Sequence, residues 1–305
     1  MRDSYVAFFM FIVFMVILGA LWLSTGGAER ASSPTFSLEQ RIGQSDKIGQ
    51  SDKDDVIFDG VGSPYREKID FSGGNPGKRL AQDEFIRLRA SRKNEEDILI
   101  TGWKIESVLT GVQVTLGGAS PLPAAGSINS EPVLRLSPGS TVIIHSGRSP
   151  IGASFRVNRC TGYFNQYQQF SPHLPQECPS PINEFDEFSG IIAQDIREDE
   201  DDRDICRAYV RQNTKRCEID DTVDFDARDK FGDRVIDPAL SDACQTFIRN
   251  DLTYTGCVAN HFADEDFYSL EWHIYVGSLN GLWRSEGEVL RLLDRGGQTV
   301  DVWRY

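Results

Sequence analysis

Short runs in which apolar and polar residues alternate occur in two separate parts of the chain. In residues 84–90, Ile86, Leu88 and Ala90 share one face, while Arg87 and Arg89 take the other. This period of two is typical of a strand with one buried face. The same alternation predicts strands at residues 98–107, 112–116 and 298–303, and short apolar runs beside turn residues predict strands at 133–136, 141–145 and 289–293.

The two blocks, residues 82–147 and 270–305, are distant in the chain but have matching patterns. A two-stranded hairpin is at best marginally stable alone, so the final hairpin must pair with further strands. The strands whose pattern matches best lie upstream. We therefore expect a mainly β fold, a sandwich or barrel over residues 65–305, interrupted by an insertion at 148–269. Trp103 and Trp283 stand among alternating aliphatic residues and are expected in its core.

The longest apolar run lies near the N-terminus. Residues 6–23 contain no charged side chain, and Tyr5 and Trp22 bracket them as interfacial aromatics do. The run approaches the ~20 residues that a membrane-spanning helix needs. A cleaved signal peptide is the alternative, since small residues follow at 25–28. We expect residues 1–28 to form an uncleaved single-pass anchor in the cell membrane, with the C-terminal part outside the cytoplasm.

Residues 29–64 are polar and contain the hexapeptide IGQSDK twice, at 42–47 and 48–53. Two short copies cannot stack into a solenoid, and so polar a stretch buries too little apolar surface to fold. We interpret these residues as a flexible linker between the anchor and the folded part.

The 305 residues carry a formal net charge of −14. An acidic protein repels phosphate backbones, and no basic patch interleaved with aromatic residues offsets this charge. Nucleic acid is therefore disfavoured as a partner.

The chain has six cysteines, and their even number in one central region indicates disulfides formed in an oxidising compartment. Reduced cytosolic thiols are the alternative; a zinc site is disfavoured because no CxxC pair occurs. Six cysteines allow 15 connectivities. Residues 204–217 and 242–257 resemble each other, each with a Cys, an aromatic–aliphatic–Arg step and a second Cys. That similarity favours pairing of neighbours: Cys160 with Cys178, Cys206 with Cys217, and Cys244 with Cys257.

His261 is the first candidate for chemistry, because Asp264 and Asp266 follow it closely. Imidazole and carboxylate could form a metal site or an acid–base pair. The alternative is that these residues cap backbone groups in a polar loop.

Two further groups of residues are candidates for binding. Acidic side chains at 224–229 could hold a structural calcium ion, although the spacing fails the EF-hand pattern, or they could form a solvated loop. Aromatic residues at 163–170 could bind a glycan or a protein, or pack under the insertion. The acids are Asp224, Asp226 and Asp229, and the aromatics are Tyr163, Phe164, Tyr167 and Phe170.

Three segments resemble the lamin tail domain family. Residues 84–107 (EFIRLRASRKNEEDILITGWKIES) resemble its opening, with an aliphatic-X-Gly-Trp strand. Residues 136–147 (LSPGSTVIIHSG) are similar to its Pro-Gly turn and central strand, and residues 281–305 to its closing hairpin. The resemblance implies an immunoglobulin-like β-sandwich of a kind that, in bacteria, looks like an extracytoplasmic module. The insertion at 148–269 departs from the family pattern.

Together these observations favour a membrane-tethered binding or scaffolding module of the cell envelope, with no catalysis and no cofactor. Its partner would be an envelope protein or a glycan, held by loops on a rigid scaffold. Two alternatives stay open: a metal-dependent hydrolase using His261, and a module in which calcium neutralises the acidic insertion.

Overall fold

The computed structural model describes residues 62–191, 200–219, 226–228, 234–236 and 240–305, which all belong to one compact unit, Asp54–Tyr305. The predicted membrane anchor and the predicted linker up to residue 61 lie outside the described residues. Among the residues described, no helix has the length and apolar character needed to cross a membrane.

The described part is mainly β, as predicted. Its strands are β1 (Ile69–Asn75), β2 (Phe85–Ala90), β3 (Ile98–Leu99), β4 (Lys104–Ser107), β5 (Gln113–Thr115), β6 (Arg135–Leu136), β7 (Thr141–His145), β8 (Phe155–Asn158), β9 (Thr214–Lys215), β10 (Glu218–Ile219), β11 (Asp226–Arg228), β12 (Arg234–Ile236), β13 (Tyr268–Tyr275), β14 (Val289–Leu293) and β15 (Thr299–Arg304). Its helices are α1 (Pro181–Ile191), α2 (Glu200–Asn213), α3 (Asp242–Asn250) and α4 (Tyr254–His261), with 3₁₀ turns at Ala81–Asp83 and Thr161–Gln166.

Two sheets form the body of the fold. The five-stranded sheet has the order β1-β2-β7-β13-β8, in which only the β7–β13 pair is parallel. The four-stranded sheet has the order β15-β14-β4-β5 and is antiparallel throughout. The predicted closing hairpin is present as β14 and β15. As expected, it pairs with the upstream block, through β14 and β4.

The two sheets share one hydrophobic core. Ile86 and Ile144 of the five-stranded sheet lie in the same buried cluster as Leu292 and Val300 of the four-stranded sheet. Trp103 and Trp283 are buried in this cluster too, as predicted. Each fully buried aliphatic side chain stabilises the fold by about 1.5–3 kcal/mol relative to an exposed one. Burial on this scale explains why blocks so distant in the chain form a single body.

The five-stranded sheet also contains two strands from outside the predicted blocks. β1 forms one edge beside β2, and β8, from within the predicted insertion, forms the other edge beside β13. The insertion therefore supplies part of the sheet before it departs from it.

All six cysteines form disulfides, but the expected pairing of neighbours is wrong. The bonds are Cys160–Cys257, Cys178–Cys217 and Cys206–Cys244. The similarity of residues 204–217 and 242–257 suggested two local loops. Instead, the first cysteine of each copy is buried on its helix, and the bond between these two cysteines joins α2 to α3.

The disulfides lie in a second buried cluster, which is the core of the insertion. Phe185, Phe247 and Phe267 are buried around the sulfur atoms. Gly162 lies so close to the Cys178–Cys217 bond that a Cβ atom there would sit 2.3 Å from the Cys217 Sγ atom. Only glycine fits at this position. Because Cys160 lies two residues after the end of β8, its bond to Cys257 of α4 ties the insertion to the end of the five-stranded sheet.

Candidate functional site

A third buried cluster forms the seam between the five-stranded sheet and the insertion. Phe155 and Val157 of β8 contact Phe164, Phe170 and Leu174 of the insertion. The rings of Phe164 and Phe170 meet the Phe155 ring edge-on, at centroid distances of 6.3 and 6.2 Å. Aromatic rings prefer this edge-to-face arrangement. The packing holds the segment that follows the 3₁₀ turn Thr161–Gln166 against the sheet.

The aromatic residues predicted as a possible recognition surface are mostly buried. Tyr163, Phe164 and Phe170 are 2–4% exposed, whereas Tyr167 is 73% exposed. The structure therefore places three of the four inside the protein. Phe170 is nevertheless also part of the wall of a cleft.

The cleft opens along the seam and has a volume of about 640 Å³. This volume lies in the range of ligand pockets, roughly 300–1,000 Å³. The end of the five-stranded sheet provides one wall and the insertion provides the other. From the sheet side come Gln82, Asp83, His145, Arg148, Pro150 and Tyr275, and from the insertion Gln169, Phe170, Ser171, Pro172 and His173.

A larger groove of about 910 Å³ lies elsewhere, along the loop between β2 and β3. Its lining is polar and carries charges of both signs, including Lys93, Glu95, Glu96 and Asp97. We regard the seam cleft as the better candidate, because ligand pockets combine aromatic walls with a few polar groups. The groove has Tyr65 as its one aromatic lining residue.

Glu271, His273 and His145 form a hydrogen-bonded triad that reaches the cleft wall at His145. His273 contacts Glu271 through Nε2 at 3.0 Å and the Nε2 atom of His145 through Nδ1 at 2.9 Å. Both imidazoles are buried, and the His145 ring stacks on the Tyr275 ring at a centroid distance of 4.3 Å. The triad thus supports an aromatic residue of the cleft from behind.

Burial and the neighbouring His273 ring lower the pKa of His145 well below its ordinary value, and a hydrogen bond to the Ser171 backbone acts in the opposite direction.

Two hydrogen bonds join the triad, and each needs one proton. They run from His273 to Glu271 and between the two rings. Two neutral imidazoles supply two N–H groups, so a carboxylate and two neutral rings satisfy both bonds.

His261 and its acidic neighbours form a separate network inside the insertion. His261 Nδ1 lies 2.8 Å from Asp264, and Nε2 lies 2.8 Å from the buried Glu184 of α1. Arg159 contacts Asp264 at 3.2 Å and Asp266 at 3.1 Å. The network connects α1, α4 and the end of β8, which is a structural role.

This network leaves His261 with no free ring nitrogen. Burial alone would lower the pKa of His261, but the hydrogen bonds and charges of Asp264 and Glu184 outweigh burial and raise the pKa. Within the ranges that the structure describes, no group of three His, Cys, Asp or Glu side chains could hold a metal ion. Asp224 and Asp229 lie outside those ranges, and of Asp226 only the backbone, at the start of β11, is described.

The cleft was not predicted from the sequence, although one local signal pointed to it. Glu271, His273 and Tyr275 alternate along β13 and so share one face. A carboxylate, an imidazole and a phenol on one face of a buried strand are unusual, because buried polar groups need partners.

No family model, curated protein or solved structure matches the chain.

Proposed function

We propose that the chain is a non-catalytic binding or scaffolding module of the cell envelope, anchored in the membrane through residues 6–23. In this proposal the two sheets form an immunoglobulin-like sandwich of the lamin tail type, and the insertion provides the recognition surface. Three disulfides support a position outside the cytoplasm, because disulfides persist in oxidising compartments.

The seam cleft is the observation that carries the proposal. Its walls come from a sheet end and from a segment held by buried aromatic packing and by the Cys160–Cys257 bond. A cleft whose walls are already fixed loses little conformational entropy when a ligand binds. Binding sites on loops held by a rigid scaffold have this construction.

The geometry at the cleft supports binding rather than hydrolysis. A general base needs a nitrogen or oxygen that is free to take a proton from the reacting group. His145 lines the cleft, but its ring is almost fully buried and its Nε2 atom faces the His273 ring. The ring is therefore placed to orient Tyr275 and the cleft wall.

The proposal is tested by co-sedimentation. Full-length protein in lipid nanodiscs, which occupy the membrane segment, is mixed with delipidated envelope material from the producing cell. We expect wild type to sediment with this material and Arg148→Ala, at the cleft, to sediment much less. Arg284→Ala is the matched control, because Arg284 is also exposed and lies outside the cleft. Equal sedimentation of wild type and Arg148→Ala would contradict the proposed site.

A further inference from the structure

The polar side chains of the seam cleft are free to meet a ligand. Gln82, Arg148, Gln169 and His173 are exposed, and none of their side chains has a hydrogen bond or ion pair within the described residues. The Asp83 carboxylate is also without a side-chain partner there. These amide, guanidinium and carboxylate groups are planar, and each offers two neighbouring donors or acceptors.

The aromatic part of the cleft is held rigidly. Tyr275 is half-buried, and its ring is fixed by stacking on His145. Burial raises the pKa of the Tyr275 hydroxyl, so this group stays a neutral donor. The hydroxyl has no hydrogen-bond partner in the part of the chain that the structure describes. Pro150, Phe170 and Pro172 add apolar surface beside it.

The charge in the cleft is nearly balanced. Asp83 and Arg148 are the acidic and the basic side chain of its lining, one of each sign. Such a site gains little from the net charge of a ligand, and the protein as a whole, at −14, repels polyanions. Specificity must then come from hydrogen bonds and from contact with the apolar surface.

We propose that the seam cleft binds a neutral oligosaccharide. A sugar ring has an apolar face of C–H groups that packs on an aromatic ring, and an edge of neighbouring hydroxyls that pair with planar amide, guanidinium and carboxylate groups. Tyr275 supplies the ring, and Arg148, Asp83 and Gln169 supply the planar partners. This inference rests on the proposed binding function and names its ligand class.

The test is saturation-transfer NMR with full-length protein in nanodiscs. The probes are neutral oligosaccharides of hexose, N-acetylhexosamine and pentose units, with oligogalacturonate as a polyanionic contrast. We expect transfer from at least one neutral probe. Arg148→Ala and Gln169→Ala should each weaken its binding about tenfold, the effect of losing one such hydrogen bond. Gln113→Ala, on the exposed side of β5, should leave binding unchanged.

The outcomes separate this inference from the proposed function. Silence from every neutral probe, or transfer from oligogalacturonate alone, would overturn the saccharide assignment. If Arg148 were still required for co-sedimentation with envelope material, the cleft would remain a binding site for another class of ligand. Release of shorter saccharides from a bound probe would overturn the non-catalytic function instead.

Discussion

Glu84 is a buried carboxylate whose removal tests how the two blocks of the fold are joined. The side chain is fully buried at the start of β2. Oε1 accepts the N–H groups of Gly77 at 2.9 Å and Trp283 at 3.3 Å. Oε2 accepts the N–H of Leu282 and the hydroxyl of Ser146. One carboxylate thus connects three segments that are distant in the chain.

The substitution Glu84→Gln keeps the shape and removes two of these acceptor positions. Its amide NH₂ cannot accept, so at least one buried backbone N–H loses its partner at a cost of about 1–3 kcal/mol. The remaining hydrogen bonds also lose the strength that the negative charge gives them, about 1 kcal/mol more. We expect a total destabilisation of about 3 kcal/mol, which lowers Tm by roughly 6–12 °C in a domain of this size.

The assay is thermal unfolding followed by tryptophan fluorescence, since Trp103 and Trp283 are buried in the core that the carboxylate secures. Glu286→Gln is the matched control, being the same change on an exposed side chain close to Trp283 in the chain. We expect the control to shift Tm by less than about 2 °C. Equal shifts in the two variants would refute the reasoning.

Three other contacts give further tests. Replacing Cys206 and Cys244 by Ser should cost about 4 kcal/mol, from the 38-residue separation that their bond closes; urea unfolding measures it, and an unchanged midpoint would argue against the bond. Because the pKa of His261 is raised, its stabilisation is complete below its unfolded pKa of about 6.5 and is lost as pH rises through the folded pKa. The Tm difference between wild type and His261→Gln should therefore shrink from pH 6 to pH 9, and a growing difference would be inconsistent with this sign. For the triad, ¹H–¹⁵N spectra at pH 7 should show the His145 imidazole as a neutral ring, because burial and the His273 ring lower its pKa; a doubly protonated His145 would contradict this.

The strands of the two blocks could be predicted because burial on one face repeats every second residue, which is visible locally. β2, β4 and β14 show this alternation over most of their length, whereas β7 is buried at four successive residues, Val142–His145. β1 was missed for a physical reason. Its register shifts between Phe71 and Gly73, and the glycines at 73 and 74 leave no side chains to show a pattern.

The disulfide connectivity and the cleft could not be predicted in this way, because both depend on where distant segments meet. Residues 204–217 and 242–257 resemble each other locally, yet Cys206 bonds Cys244 because α2 and α3 pack together. The cleft combines side chains such as Asp83, Arg148, Gln169 and Tyr275, which come from four separate segments. No pattern within any one segment predicts that these four side chains lie together.

The disulfide bonds of the protein isolated from its own cell are the most direct test of an insertion cross-linked onto a two-sheet scaffold outside the cytoplasm. Digestion with trypsin and a Glu-specific protease under non-reducing conditions separates all six cysteines, since cleavage after Glu177 divides Cys160 from Cys178. Mass spectrometry should then find Cys160 linked to Cys257, Cys178 to Cys217 and Cys206 to Cys244. Free thiols, or links between neighbouring cysteines, would contradict the account.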